Sequence, residues 1–307
     1  MSDFENRRAG MLLGSFVCES LSLGVHWIYD PELLAKKFGY VSRYYAPRAD
    51  SYHPFKVAGN QSHVGDQALI LIDSLMQQGA WDPAAFMSMW AKSWPGYGDY
   101  IDRATKTVLA NLQGGADPLQ AASNSDELAG PARIAPLLAF LASGSQEQAI
   151  DAAVAQTRLT HASREAEEAT IFLAKTSYRI LYGANLIATV RELAPVWALQ
   201  IVDAQLENES VVAIGNIGRA CPIKAALPAV IYLILKFGGN SDKGISEQGM
   251  FEKALSENAM AGGDNCARGL ALGLVLGAHY GAGAIPRHLL ADLTNRSRIE
   301  AMLYLSG

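Results

Sequence analysis

Gly10, Gly14 and Cys18 recur every fourth residue in one apolar stretch, and Gly269, Gly273 and Gly277 do so in another. On a helix that spacing puts each trio on a single face. Glycine in a helix interior costs about 1 kcal/mol relative to alanine. Two helices that each carry a line of small residues therefore need a compensation, and close approach to another helix supplies it. The chain must accommodate such contacts in its interior.

Helical periodicity dominates the rest of the sequence. From Ser163 to Gly183 the small or apolar residues Ala166, Ala169, Thr170, Leu173, Ala174, Ser177, Ile180 and Leu181 form a stripe of period 3.6, with Arg164, Glu167, Glu168, Lys175 and Arg179 off it. Phe251, Ala254, Leu255 and Ala259 mark a second amphipathic helix. The segments Ala68–Met76, Ile134–Ala142, Leu227–Leu235 and Leu270–Ala278 are apolar nearly all round, as helices inside a large bundle are. Strand-like alternation is confined to the short "SVVAIG". No linker, low-complexity tract or internal repeat divides the sequence, so residues 1–307 read as one all-α domain, a single large helical bundle.

Composition excludes several function classes. The net charge of -5 and the absence of a basic stripe argue against nucleic acid. Apolar runs stay short of a membrane span. Three distant cysteines, Cys18, Cys221 and Cys266, fit a reducing, cytoplasmic setting rather than a disulfide framework. The start "RRAGMLLGSFVC" imitates a signal peptide, but Asp3, Glu5 and Glu19 interrupt that pattern and it reads as a first buried helix. Neither GxxxxGK[ST] nor a strand-borne GxGxxG occurs.

Chemistry-bearing residues concentrate in the loops "HWIYDP" (26–31), "YYAPRADSYHPF" (44–55), "GNQSHVGD" (59–66), "WPGYGDY" (94–100), "GNIGRACP" (215–222) and "AGGDNCAR" (261–268). Gathered at one end of a bundle, they would line a pocket. Asp66 and Asp264 each precede an apolar helix, and spacing alone favours a helix-start role for both. His63 and Asp66, three apart, are weak evidence for a transition metal. His26 and Trp27 read either as an aromatic plug or as a surface for stacking a base or sugar. Cys266 at a helix start is a nucleophile candidate without a partner base in sequence.

Five segments in order, "RRAGMLLGSFVCESLSLGVHWIYD", "HVGDQALILIDSL", "GPARIAPLLAFL", "LTHASREAEEATIFLA" and "AGGDNCARGLALGLVLGAHYG", resemble the ADP-ribosylglycohydrolase superfamily over nearly the whole chain. "GVHWIYD", "HVGDQ" and "GGDNCARG" are similar to its J1-crystallin and selenoprotein J branch. The resemblance implies an all-α fold with a loop-lined cavity and hydrolysis of an N- or O-glycosidic bond to ADP-ribose. In the family's catalytic members the first metal motif is Thr-Asp-Asp-Thr before a glutamine; here His63, Val64, Gly65 and Asp66 precede Gln67. The second, Asp-x-Asp followed by Thr or Ser, is Asp264, Asn265, Cys266 and Ala267, and the first-helix Gly-Asp is Cys18-Glu19.

These departures imply at most one weakly held magnesium ion at Asp264 and Asp66. Magnesium requires octahedral oxygen ligands, and a one-residue shift turns a side chain about 100° around a helix. The resemblance makes Asp66, Asp264 and Glu19 the catalytic candidates. Asp66 and Asp264 are expected to face one cavity, in a polar network with Glu19, His63 and Arg268. His26, Trp27, Tyr52, His63, Gln67, Tyr97, Asn265 and Arg268 are candidate substrate contacts. Gly215, Gly218, Gly262 and Gly263 are candidates for backbone approach to a diphosphate. The partner implied is a small-molecule or ADP-ribosylated substrate. The competing readings are a non-catalytic structural or nucleotide-binding protein of the crystallin type, and a hydrolase with new chemistry at His63 or Cys266.

Overall fold

A computed structural model describes residues 1–239 and 244–305. Among the described residues the regular structure is helical, with two isolated β-bridges and no strand. The N-terminal helix Asp3–Leu23 and the helix Asn265–Tyr280 form the axis of the bundle; the first is buried from Arg8 onward and the second throughout except at His279. The two glycine lines face each other. A Cβ at Gly273 would lie 2.1 Å from the carbonyl oxygen of Gly14, one at Gly277 would lie 2.1 Å from that of Gly10, and one at Gly269 would lie 2.9 Å from that of Cys18. The backbones are therefore in direct contact, which is the compensation the small residues require.

Around this pair pack His63–Gln78, Arg164–Leu181, Ile223–Phe237 and Glu247–Met260, whose apolar faces join one contiguous core. The stripe that begins after Ser163 becomes the helix Arg164–Leu181, with Ser163 accepting from Ala166 N at its start. "SVVAIG" is the exception to the strand reading: Ser210–Ile217 is a helix, and its short apolar run has no neighbouring strand to pair with. No helix among the described residues is long and apolar enough to cross a membrane.

Three features position the loops. Ser62 accepts from Val64 N and begins His63–Gln78, so Asp66 lies in the first turn and is not the cap. Asp264 occupies the N-cap position of Asn265–Tyr280 but makes no side-chain capping hydrogen bond. Gly262 and Gly263 have φ of 69° and 67°, and their turn is clamped to the segment after the first helix: Trp27 N donates to Gly263 O and Gly263 N donates to Ile28 O, both at 2.9 Å.

Candidate active site

The clamp forces Trp27 to φ 59°, the one positive value among the described non-glycine residues. Left-handed backbone is costly for a bulky side chain, and it persists where the surroundings determine it. Here it lays the indole over a buried group of histidines. The rings of Trp27 and His26 stack at 4.1 Å, His26 and His53 at 5.6 Å, and His53 and His63 at 5.4 Å. Tyr100 meets the edges of Trp27 and His63 at 4.8 and 5.0 Å, and the largely exposed Tyr52 meets Trp27 at 4.9 Å.

Each histidine faces its own carboxylate. His26 Nε2 is 3.8 Å from Asp264 Oδ1, His53 Nδ1 is 3.3 Å from Asp99 Oδ1, and His63 Nε2 is 3.5 Å from Asp102 Oδ2. Burial holds all three imidazoles below their usual pKa and so neutral. The His26 tautomer follows from its neighbours. Asn265 Nδ2 donates to Ala259 O, so its Oδ1 must accept from His26 Nδ1–H at 3.0 Å, leaving the lone pair on Nε2 toward Asp264.

Burial pushes the Asp264 carboxyl up to about 6, against the opposing pull of Arg268. The Arg268 guanidinium is fully buried, donates to Asn258 and to Gly262 O, and keeps Nη1 free of any protein partner. The charges of Glu127, which accepts a hydrogen bond from the Cys221 thiol, and of Asp102 raise the Asp264 carboxyl further. A cavity of about 160 Å³ opens beside His26, Trp27, Tyr52 and His53.

The other expected site residues go elsewhere. Asp66 does not join Asp264: it pairs with the Lys56 ammonium, accepts from the Tyr97 hydroxyl at 2.6 Å, and lines a cleft with Trp94 and Arg298. Tyr97 is thus a partner of Asp66. Glu19 is fully buried; its Oε1 accepts from Ser62 N at 2.7 Å, its Oε2 has no partner, and burial pushes it up to about 7. The expected single network of Glu19, His63, Asp66, Asp264 and Arg268 is therefore several separate pairings. Cys266 is fully buried, and desolvation raises its thiol far above the ordinary value, which opposes a nucleophilic role.

Gln67 is a buried hub whose Oε1 accepts from Trp90 Nε1 and from Arg133, while its Nε2 faces Asp102 and Thr105. The diphosphate cradle expected of the glycines is not open. The N–H groups of Gly218, Gly262 and Gly263 are bonded to Ile214, Ala259 and Ile28, and Gly215 lies inside Ser210–Ile217 against the Arg219 guanidinium.

Nor do the donors present fit a magnesium site. Val64 and Gly65 supply no ligand, Asp66 is turned to Lys56, and Cys266 is soft and buried. No group of three or more His, Cys, Asp or Glu side chains among the described residues is arranged to hold a metal. Asp99, Asp102, Glu127 and Arg133 escaped the sequence reading. Asp99 lies in the loop "WPGYGDY" and Arg133 in the segment "GPARIAPLLAFL", and Asp102 is the cap in "DRAT" before the helix Arg103–Gln113, but no spacing marks them as partners of the histidines or of Gln67.

The curated relative Crystallin J1A of Tripedalia cystophora is 20% identical over 320 residues, covering 96% of this chain and 94% of its own. A solved structure described as an ADP-ribosylglycohydrolase-related protein complex superposes with a TM-score of 0.75 at 25% identity, over 99% of this chain and 97% of the other. A model of the ADP-ribosylglycohydrolase family matches residues 1–306, and with the glycine-paired helices carrying Glu19 and Asp264 at the two motif positions, the chain belongs to that family.

Proposed function

We propose that the protein hydrolyses an N- or O-glycosidic bond to ADP-ribose or a related nucleoside, with Asp264 as the carboxyl group of the reaction. The observation that carries this reading is the state of Asp264. It stands at a helix start, buried and held partly protonated near neutral pH, beside an imidazole lone pair and a guanidinium with a free donor. Such a group can give a proton to a leaving atom or stabilise an oxocarbenium-like centre. Trp27 and Tyr52 offer aromatic surface to a sugar or base at the cavity mouth. Glu19 and Asp66 serve structural pairings in this reading.

The similarity to Crystallin J1A supports a second reading, a non-catalytic nucleotide-binding or structural protein on the same fold. Calorimetric titration with ADP-ribose, run in magnesium and again in EDTA, together with turnover of N- and O-linked ADP-ribosyl peptides, separates the two. Binding and turnover that fall in Asp264→Asn support the hydrolase. Binding without turnover of any linkage supports the nucleotide reader, and no binding in either buffer leaves the structural role.

A further inference from the structure

We propose that His63 is the general base of this site and that Asp102 is its positioning residue. The assignment rests on the hydrolase reading above and supplies the water-activating group that Asp264 does not. It starts from Gln67. Trp90 Nε1 donates to Gln67 Oε1 at 2.9 Å and the buried Arg133 guanidinium donates to the same oxygen, so the amide has one orientation and its Nε2 must point at Asp102.

Asp102 Oδ1 is taken by Thr105 N at 2.5 Å, which ties this carboxylate to the start of Arg103–Gln113. Its remaining oxygen, Oδ2, stands 3.5 Å from His63 Nε2. The pair is wider than a formed hydrogen bond; because a carboxylate only accepts, its closing places the hydrogen on Nε2 and the lone pair on Nδ1. His63 Nδ1 is buried and has no protein partner. The imidazole is held in place by stacking on His53 and by the edge of Tyr100, at 5.4 and 5.0 Å. An oriented imidazole with one free nitrogen and a fixed carboxylate behind it is the arrangement of a base, and such contacts are often long before substrate binds.

The position matters as much as the geometry. His63 opens the segment "HVGD", where magnesium donors would be needed and none is assembled. A base at this point activates water without a metal. In the step, the water oxygen bonds to the anomeric carbon and its proton passes to His63 Nδ1. The glycosidic bond breaks with its electron pair going to the leaving oxygen or nitrogen, which takes a proton from Asp264. The imidazolium then releases its proton to solvent and Asp264 recovers one, so the sum is addition of water. The charges of Lys56, Arg133 and Lys106, with His53 stacked on the ring, disfavour its charged form; the Asp102 carboxylate, 3.5 Å away, opposes them by proximity.

The test uses the full chain and N-linked (arginine) and O-linked (serine) ADP-ribosyl peptides. His63→Ala is expected to lower kcat on the order of 10²–10⁴-fold with little change in KM, and added imidazole is expected to restore part of it. Asp102→Asn still caps its helix, since asparagine caps as well as aspartate. It should lower kcat by less and move the acidic limb of the pH–kcat profile to lower pH, because the charge favouring imidazolium is gone. A purely structural loss would reduce kcat and leave that limb in place, and this outcome overturns the role of Asp102. An active wild-type chain whose His63→Ala variant keeps its kcat overturns the base assignment alone. Absence of turnover by the wild-type chain overturns the hydrolase reading and this one with it.

Discussion

Replacing Gly273 by alanine adds one methyl group at the tightest point of the axial helix pair. The new Cβ would sit 2.1 Å from Gly14 O, 2.5 Å from Gly14 C and 2.8 Å from Ser15 Cα, whereas ordinary contact begins at 3.4 Å. The overlap with the oxygen is 3.4 − 2.1, about 1.3 Å, and all three neighbours are backbone atoms, so no rotamer change relieves it. The helices must separate over the stretch that includes Gly269 against Cys18 and Gly277 against Gly10. Overpacking of this kind costs roughly 1–3 kcal/mol or more, while alanine returns about 1 kcal/mol of helix propensity.

Because the obstruction is rigid, the cost is taken at the upper end, about 3 kcal/mol, and less the roughly 1 kcal/mol returned the net expectation is a loss of about 2 kcal/mol. Gly249→Ala is the control. It lies in Glu247–Met260, and its Cβ would meet Ile245 Cγ2 at 2.9 Å and Ser246 Oγ at 3.5 Å, side-chain rather than backbone atoms, so it should cost clearly less than Gly273→Ala. Urea titration followed by circular dichroism reads the midpoint of each variant. A Gly273→Ala protein with the midpoint of Gly249→Ala would refute the direct backbone contact. The same separation would displace Glu19 from Ser62 and Asp264 from His26, so under the proposed hydrolase function turnover should fall together with stability.

Glu19 provides a pH prediction. Its folded-state pKa lies at about 7 against an ordinary 4.5, so the folded protein holds this proton more tightly and loses stability as pH rises through that window. Glu19→Gln keeps the acceptor for Ser62 N and removes the charge. Its stability should match wild type below the window and exceed it at pH 8, by up to on the order of 3 kcal/mol; equal stability at pH 8 would show that Glu19 is not a buried strained carboxylate. Magnesium gives a third test. Thermal unfolding in magnesium chloride, in EDTA and in sodium chloride of equal ionic strength should give one melting temperature, because a bound ion would raise it by mass action. A magnesium-specific rise would mean that the donors near Asp264 rearrange to take the ion.

The legibility of this molecule in its sequence varies with how local the cause is. The glycine spacing and the stripe from Ala166 to Leu181 are set by helix geometry and could be read directly. "SVVAIG" could not, because a six-residue apolar run is decided by what lies next to it. The site divides in the same way. Asp264, His26, Trp27 and His63 could be picked out by residue type and motif position, but their pairings could not. Asp66 looked like a partner of Asp264 until Lys56 and Tyr97, distant by 10 and 31 positions, claimed it. Asp102 reads only as a helix cap and Arg133 only as one residue of the segment "GPARIAPLLAFL"; they matter because Gln67 lies between them.

The axial pair joins residues 10 to 18 with residues 269 to 277, and the clamp ties Trp27 to Gly263. During synthesis the first helix leaves the ribosome with its buried face uncovered and waits for a partner some 250 residues behind it. At roughly 5–20 residues per second this delay lasts on the order of ten seconds or more. Neither the site nor the core around it can close before then. The nascent chain exposes an apolar N-terminal helix over that interval, and a ribosome stalled before Gly263 releases a product that lacks Asp264 and the helix that pairs with the first.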